Sequence, residues 1–337
     1  MLATTERESS TETMRAIVRD RYGPPDVLTV GEIAKPRLES DGVLVRVRAA
    51  SVNPADWHML TGTPFLARTS GGLRAPKTRQ VGTDFAGVVE AVGSDFDGGL
   101  HVGDEVFGAR NGALAEYVVV KNAVAAKPAN VSFEEAAAVP VAALTALQGL
   151  RDKGGLQSGE RLLVNGASGG VGTFAVQLAK AFGAEVTGVC STRNVELVRS
   201  LGADHVVDYA REDFTRGPGG YDLVYDVAGG RSWSALKRVL APSGRLVVAG
   251  GPKVNRITGV SMRHLARLKL ASALGRRKAT FYIAKVNRAD LVVLQGLLAD
   301  GSIRAALDRT YPFEETAEAM RYLGAGHARA KVVVTLD

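Results

Sequence analysis

The chain has 337 residues, long enough for two domains with separate cores, and its 46% hydrophobic and 23% charged residues are typical of a globular protein. It contains one cysteine, Cys190, which excludes an internal disulfide and a structural zinc site built from three or four cysteines. The formal net charge of +7 comes from 42 lysines and arginines against 35 aspartates and glutamates. This small, dispersed excess does not indicate nucleic-acid binding. It would suit an anionic cofactor, and solubility alone would also explain it.

The N-terminal residues 1–13 are polar and charged and lack the apolar centre of a secretory signal, so we expect a frayed tail. No apolar run approaches the roughly 18 residues that span a bilayer. We therefore expect a cytoplasmic protein without stable membrane insertion.

Residues 14–135 are rich in short strand patterns separated by clusters of Gly, Pro, Asn and Asp, which predict a compact antiparallel barrel with few helices. The predicted strands are Met14–Val18, Gly42–Val52, Thr83–Val92, Glu105–Phe107 and Ala113–Val120. Ser132, with Glu135 three residues later, forms a capping-box pattern that predicts the start of a helix over Ala136–Arg151.

After Pro128 strand and helix patterns alternate, which predicts a doubly wound parallel sheet with helices on both faces. The predicted strands are Arg161–Asn165, Glu185–Cys190, His205–Asp208, Leu223–Val227 and Arg245–Ala249. The predicted helices between them are Gly170–Phe182, Asn194–Leu201 and Ser232–Leu240. Residues 289–337 predict two further helices and a last strand, Lys331–Leu336, that returns to the first domain.

The segment from Arg161 to Gly172 reads RLLVNGASGGVG and runs directly into an amphipathic helix. This strand, glycine turn and helix form a G-x-x-G-x-x-G variant of the dinucleotide-binding fingerprint. The glycines allow a tight turn, close approach of backbone N–H groups to a pyrophosphate, and close packing of helix on strand. The alternative, a purely structural glycine turn, is disfavoured because further strand-helix units follow.

The end of the second strand of this sheet decides between NAD and NADP. Residues 189–194 read VCSTRN and contain no acid that could bind the ribose 2′-hydroxyl of NAD. The hydroxyl of Ser191 and the guanidinium of Arg193 are suited to a 2′-phosphate. This favours NADPH, the alternative being that Arg193 is an ordinary exposed loop residue.

Several segments together resemble the medium-chain dehydrogenase/reductase superfamily, in its zinc-independent quinone oxidoreductase-like branch, which includes the reticulon-interacting oxidoreductases. The segments that carry the resemblance are Ala50–Asp56, Val81–Gly93, Val102–Gly108, Ala137–Thr145, Asn165–Gly172 and Gly326–Lys331. The resemblance implies an α/β protein with a GroES-like β-barrel domain over 14–137 and 289–337, and a Rossmann NADPH-binding domain over 138–288.

The resemblance also implies residue roles. Asn53 would contact the nicotinamide and its ribose, Thr145 the carboxamide, and Tyr209 the adenosine end. Together with the phosphate turn and the 2′-phosphate loop, the expected cofactor contacts are Asn53, Thr145, Gly166, Ser168, Gly169, Gly170, Val171, Gly172, Ser191, Arg193, Tyr209, Gly250, Gly251 and Arg329.

Zinc-dependent relatives place a cysteine and a His-Glu pair where this chain has Val52-Asn53-Pro54 and Gly82-Thr83-Asp84. Asp56, His58 and Asp84 could offer nitrogen and oxygen ligands, but Asp84 is better explained as an anchor for a turn or strand. We therefore expect no metal.

Without a Lewis acid, hydride addition to an electrophilic carbon is easier than alcohol oxidation, so we expect reduction of the activated C=C of a quinone or an α,β-unsaturated carbonyl. The candidate catalytic residues are Asn53 and His58, although His58 could equally be a surface histidine. The alternatives are a biosynthetic enoyl reductase, a non-catalytic NADPH-binding protein and a zinc alcohol dehydrogenase. The resemblance further suggests a homodimer formed through an edge strand around Val286 and Asn287.

Two basic segments allow a structural and a functional interpretation. The loop over 63–80 could be an ordinary loop or could rim the substrate pocket with Phe65 and Leu66. The stretch 262–278 has a helical pattern that fits a solvated cationic face, or else a pocket cover or membrane contact.

Overall fold

The computed structural model describes residues 12–65, 68–250, 277–326 and 328–336. Gly251, Leu66 and most of the basic stretch, 262–276, lie outside the described residues.

The first part of the chain and its last two strands form a mainly antiparallel sheet whose strand order is β14-β15-β3-β4-β5-β7, with β6 also paired to β3. A separate antiparallel pair, β1 and β2, accompanies it. Apolar residues alternate along these strands, so that one face packs on a core containing Val45, Val47 and Phe85. The bounds are β1 Thr13–Val18, β2 Thr29–Ala34, β3 Val43–Val52, β4 Asp84–Val92, β5 Glu105–Ala109, β6 Tyr117–Val120, β7 Val124–Ala126, β14 Leu307–Pro312 and β15 Lys331–Thr335.

The second sheet is parallel throughout its described strands, with the order β10-β9-β8-β11-β12-β13. From β8 the chain adds β9 and β10 on one side of the sheet, and it then adds β11, β12 and β13 on the other side. The carboxyl ends of β8 and β11, at Asn165 and Asp226, therefore border the switch point where dinucleotides bind in such sheets. The bounds are β8 Arg161–Asn165, β9 Glu185–Cys190, β10 His205–Asp208, β11 Tyr221–Asp226, β12 Leu240–Val248 and β13 Lys278–Phe281.

Short helices connect and cover both sheets. Those around the second sheet bury apolar faces against it, and α5 contributes Phe174, Val176 and Leu178 to the largest core cluster. The bounds are α1 Pro54–Thr61, α2 Arg68–Gly71, α3 Phe133–Ala137, α4 Pro140–Gln148, α5 Gly170–Ala181, α6 Val195–Ser200, α7 Trp233–Val239, α8 Arg288–Ala299 and α9 Thr316–Gly324.

The fold class expected from the sequence is confirmed, with local corrections. The capping box at Ser132 and Glu135 is present in both directions. The single helix expected over 136–151 is wrong: it breaks before Pro140, whose ring would clash with the preceding turn of a continuous helix, and it ends in a π-helical turn over Gly149–Lys153. The strand expected over 113–120 is shorter and covers only β6.

The last strand does return to the first sheet, as expected. β15 pairs antiparallel with β3, with Val333 opposite Ser51. One apolar cluster then runs without interruption from Phe107 of the first sheet to Leu147 and Phe174 of the second part. The two sheets thus share a core, and the boundaries at 137/138 and 288/289 stay a prediction.

The edge strand expected around Val286 and Asn287 is wrong. Asn287 caps α8, its side chain accepting from the backbone N–H of Asp290, and such a side-chain hydrogen bond favours a helix start over a strand. Among the described strands, the edge of the sheet is β13, Lys278–Phe281, which pairs with β12. Within the described residues, no helix has the length and apolar character needed to cross a membrane.

Candidate cofactor and active site

The glycine turn after β8 has the geometry of an anion-binding helix start. Gly166 adopts φ +91°, a left-handed conformation that favours glycine. The N–H of Gly169 donates to the carbonyl of Gly166 at 3.1 Å, and α5 begins at the next residue. The first N–H groups of a helix have no partner inside it, so those of Gly170, Val171 and Gly172 are available to a phosphate.

The glycines of this turn serve different purposes. A Cβ at Gly172 would overlap the carbonyl oxygen of Gly166, so glycine is required for the helix to pack on the turn. Among the described residues, a Cβ at Gly169 would meet one neighbour within 4 Å, the Gly166 oxygen at 3.5 Å. Gly169 therefore leaves open space beside the helix start, where a ligand would lie.

The end of β9 lies next to this turn. The side-chain nitrogen of Asn194 donates to the hydroxyl oxygens of Ser168 and Ser191, at 2.9 and 3.2 Å. Arg193 is exposed on the same loop. Tyr209 follows β10, is 56% exposed, and its backbone N–H donates to the carbonyl of Cys190 at 3.0 Å. The structure thus brings Ser168, Ser191 and Tyr209 to one corner of the sheet.

A carboxylate outside the predicted set of site residues faces the same loop. Asp208, at the end of β10, accepts from the hydroxyl of Thr192 at 2.6 Å and from the N–H of Ala210 at 3.0 Å. These hydrogen bonds, that of Thr192 foremost, lower the pKa of Asp208. The carboxylate is already paired within the protein.

Asn53, at the end of β3, is part of a buried polar cluster. Its side-chain nitrogen donates to Oδ2 of Asp84 at 2.9 Å, and its side-chain oxygen accepts from the ammonium of Lys331 at 2.6 Å. Lys331 and Asn53 are 3% and 4% exposed. Asp84 is fully buried and also accepts from the hydroxyl of Ser51 and the N–H of Val141, both at 3.0 Å. The cluster joins β3, β4, β15 and the start of α4.

A second acid lies beside this cluster. Asp56, in the first turn of α1, accepts from the N–H of Asn53 at 2.8 Å and from the hydroxyl of Thr83 at 2.7 Å. Burial raises the pKa of Asp56 to about 6, although these hydrogen bonds oppose the shift. Asp56 therefore fixes the backbone on which Asn53 is held.

His58 contacts the turn after α1. Its Nδ1 lies 2.6 Å from the carbonyl oxygen of Thr63, so Nδ1 carries a hydrogen and donates. A neutral ring would then have an accepting Nε2. With the Nδ1 hydrogen given to Thr63, His58 could donate to a substrate oxygen only if Nε2 also carried a hydrogen.

The segment before β15 closes against the glycine turn. The N–H of Ala330 donates to the carbonyl of Ser168 at 2.8 Å, and Ala330 adopts φ +60°, which L-residues rarely do. Arg329 beside it is exposed, with its backbone N–H donating to Asp308. A Cβ at Gly170 would lie 3.0 Å from Cδ of Lys331. The buried cluster and the phosphate turn are therefore neighbours.

Thr145 lies in α4, and Gly250 follows the end of β12. The Thr145 hydroxyl donates to Val141 at 2.7 Å, and its carbonyl accepts from the hydroxyls of Tyr225 and Tyr282. A Cβ at Gly250 would overlap the carbonyl of Val227. Hydrogen bonds to its backbone carbonyl thus fix the position of Thr145, and the close approach of the Val227 carbonyl requires glycine at position 250. Gly251 lies outside the described residues.

Comparison with known proteins agrees with this architecture. The chain is 37% identical over 337 residues to 2-methylene-furan-3-one reductase of Solanum lycopersicum, covering 95% of this chain and 79% of that protein. It is 36% identical to the mitochondrial NAD(P)H oxidoreductase RTN4IP1 of Mus musculus, covering 99% and 92%. The chain belongs to the medium-chain dehydrogenase/reductase superfamily, among its quinone oxidoreductase-like members. It is therefore an oxidoreductase of a family that uses nicotinamide cofactors.

Family models and solved structures agree with the superfamily assignment. An alcohol dehydrogenase GroES-like domain matches residues 39–129, and a zinc-binding dehydrogenase domain matches 201–334. The quinone oxidoreductase of Coxiella burnetii superposes with a TM-score of 0.84 at 30% identity, over 97% of this chain and all of that one. The location named for the mouse relative is mitochondrial, and the cytoplasmic location expected for this chain stays a prediction.

The zinc implied by one of these family names does not fit the side chains of this site. Both oxygens of Asp84 and both oxygens of Asp56 already accept protein hydrogen bonds, and the Lys331 ammonium lies 3.3 Å from Asp84. A cation would have to displace that ammonium. Among the described residues no group of three or more His, Cys, Asp and Glu side chains could hold a metal ion. The candidate ligands Asp56, His58 and Asp84 do not form one.

Lys331 and Asn194 were missed in the sequence because their signals are not local. Lys331 opens an apolar strand, where a lysine looks like a solvated end, and only the pairing of β15 with β3 buries it. Asn194 was read only as a helix start. The available signal was a helix-cap residue directly after Arg193 and three positions after Ser191, the two candidates for binding the 2′-phosphate.

Proposed function

We propose that this protein is an NADPH-dependent reductase that transfers hydride to the activated C=C of a quinone or an α,β-unsaturated carbonyl, without a metal. The observation that carries the proposal is the juxtaposition of the phosphate turn at Gly169 with a hydroxyl- and arginine-bearing loop at the end of β9. Both elements offer donors or positive charge, which suits a cofactor phosphorylated at its adenosine ribose.

The preference for NADPH is supported by what surrounds Ser191 and Arg193. Residues 189–194 contain no carboxylate for a ribose 2′-hydroxyl. The nearest acid from β10, Asp208, is occupied by Thr192 and Ala210. A 2′-phosphate would meet the hydroxyl of Ser191 and the guanidinium of Arg193, with Tyr209 beside the adenosine.

The proposed hydride transfer needs few contributions from protein side chains. When bound, the nicotinamide supplies the hydride. Negative charge then develops on the substrate oxygen and needs a hydrogen-bond donor in a site that excludes water. Asn53 is suited to this role, because its amide is fixed by Asp84 and Lys331 and has a second N–H beyond the one given to Asp84. His58 could donate only as the imidazolium.

The substrate class is supported by the names of relatives. Besides the tomato furanone reductase, an NADPH-dependent alkenal/one oxidoreductase of Arabidopsis thaliana is 34% identical over 337 residues, covering 95% of this chain and 79% of that one. An enoyl reductase, CurK, superposes with a TM-score of 0.79 at 26% identity over 96% of this chain and 99% of that one. A biosynthetic enoyl reductase is therefore the second candidate, with the same hydride chemistry.

The test is the rate of NADPH oxidation by the purified protein with a quinone, a small enone and an enoyl thioester, each repeated with NADH. We expect turnover with the quinone or the enone, and a higher kcat/KM with NADPH than with NADH. Turnover of the thioester alone would favour the enoyl reductase. Tight NADPH binding with no turnover of any acceptor would indicate a binding protein and contradict the proposal.

The proposed homodimer forms through β13, the last strand in the order of its sheet. Phe281, the last residue of β13, and Ile283, two residues after it, are 39% and 81% exposed, which gives this edge apolar surface to bury. Sedimentation velocity should show twice the monomer mass of 35.4 kDa. If the Ile283→Lys variant still sedimented with the mass of a dimer, the result would argue against β13 as the interface.

A further inference from the structure

Asn194 connects the two parts of the cofactor site that the sequence treated separately. Its side chain is buried, and its single nitrogen donates both to Ser168 in the phosphate turn and to Ser191 at the end of β9. Its side-chain oxygen accepts no hydrogen bond from the described residues. A buried amide with an unused acceptor calls for an explanation beyond packing.

The direction of these hydrogen bonds determines whether the two serine hydroxyls can donate to a ligand. Each hydroxyl oxygen accepts from the Asn194 amide, so the one hydrogen of each serine remains to be donated elsewhere. Both serines are partly exposed. The pair therefore presents two donors on the ligand side of the sheet. The opposite amide orientation would pair the Asn194 oxygen with both hydroxyls and would consume their hydrogens.

We infer that Asn194 determines the cofactor preference by holding Ser168 and Ser191 as donors to phosphate oxygens in the adenosine half of the cofactor. The inference rests on the proposed use of NADPH and adds a positioning residue to it. A phosphate dianion only accepts hydrogen bonds, so it gains from two aligned donors, whereas a ribose hydroxyl can donate or accept and gains less.

The Asn194→Asp variant reverses this arrangement with almost no change in shape. A carboxylate only accepts, so it would turn both serine hydrogens inward and would place a negative charge beside the phosphate. The probes are adenosine 2′,5′-bisphosphate and 5′-AMP, whose dissociation constants are measured by isothermal titration calorimetry. This readout needs neither nicotinamide nor turnover.

We expect the wild-type protein to bind the bisphosphate more tightly than 5′-AMP, and the Asp variant to lose about tenfold or more of that ratio. Asn194→Ala removes the donor without adding charge, so the ratio should fall by about threefold. Glu196→Gln is the matched control. Glu196 is exposed on α6, pairs with Arg199, and should leave the ratio unchanged.

The outcomes separate the two proposals. If the variants remain folded by thermal melting and keep the wild-type ratio, the role of Asn194 is overturned while the NADPH proposal stands. If Asn194→Asp does not fold, the Ala variant decides in the same way. A wild-type protein that fails to favour the bisphosphate would overturn the NADPH proposal and this inference together.

Discussion

The ammonium of Lys331 donates to the side-chain oxygen of Asn53 at 2.6 Å, which joins the last described strand of the chain to the segment expected to contact the nicotinamide. The same ammonium lies 3.3 Å from the fully buried Asp84. The ammonium of Lys331 thus orients the side-chain amide of Asn53 and also neutralises the charge of Asp84.

Removing that cation should be costly. We expect Lys331→Met, which keeps an unbranched apolar chain and removes the ammonium, to lower the free energy of unfolding by about 3 to 5 kcal/mol, because the carboxylate of Asp84 would be left buried without a countercharge. Urea unfolding measures this. Lys121→Met is the control: Lys121 pairs with Glu39 and Asp41 at the surface, and its loss should cost less than about 1 kcal/mol. Equal losses would contradict a special role for the buried pair.

The phosphate turn should respond differently at two of its glycines. Gly172→Ala forces a Cβ onto the Gly166 carbonyl, so we expect a loss of stability of about 2 kcal/mol or more. Gly169→Ala should fold normally but should weaken NADPH binding by about tenfold, because its methyl group enters the open ligand side.

The control for both glycine substitutions is Gly296→Ala in α8, where a Cβ would meet no atom of the described residues within 4 Å. We expect it to stabilise the protein by up to about 1 kcal/mol and to leave NADPH binding unchanged. Thermal melts and fluorescence titration with NADPH measure these effects. Normal binding by Gly169→Ala would be evidence against a phosphate at this turn.

Arg193→Ala should raise the KM for NADPH by about tenfold while changing the KM for NADH little, because only NADPH has a 2′-phosphate to lose a cationic partner. Steady-state kinetics with both cofactors measure the split. Arg199→Ala, six residues further along and paired with Glu196, should change neither value. Equal effects on both cofactors would remove the role assigned to Arg193.

Asp56 should make stability depend on pH. Its folded-state pKa of about 6 lies above the usual 3.8 because of burial, so the folded protein binds the extra proton between these values. The contribution of Asp56 is therefore most favourable below about pH 4 and falls as pH rises through 6, by on the order of 2 to 3 kcal/mol.

The comparison that isolates this effect is with Asp56→Asn, which cannot titrate. The wild type should lose stability relative to the variant between pH 4.5 and 7.5 in urea unfolding, and the difference should level off above pH 7. A constant difference across that range would contradict a raised pKa for Asp56.

Much of the fold was predictable because its signals are local. β8, β9 and β10 were predicted with the bounds they have, since buried parallel strands are short apolar runs bounded by turns. The capping box at Ser132 was predictable for the same reason. The break at Pro140 was also local, and a proline inside an expected helix was the available signal.

The site was less predictable, because its contacts join distant segments. Ser191 and the glycine turn could be inferred from their order along a strand-helix unit. The contact of Asn53 with Lys331, and the bond from Ala330 to Ser168, depend on the pairing of β15 with β3 and on no periodicity. The edge strand was misplaced because Asn287 and Asp290 form a local helix cap that overrides the pattern.

The pairing of β15 with β3 has a consequence for how the protein folds. Strands that meet across most of the chain close late, because a long loop must first be ordered, whereas β8 to β12 are joined by short connections. The nucleotide-binding half should therefore acquire protection from hydrogen exchange during refolding before the first sheet is complete. A cofactor added early in refolding would bind the nucleotide-binding half before β15 has paired with β3. We expect it to speed that pairing.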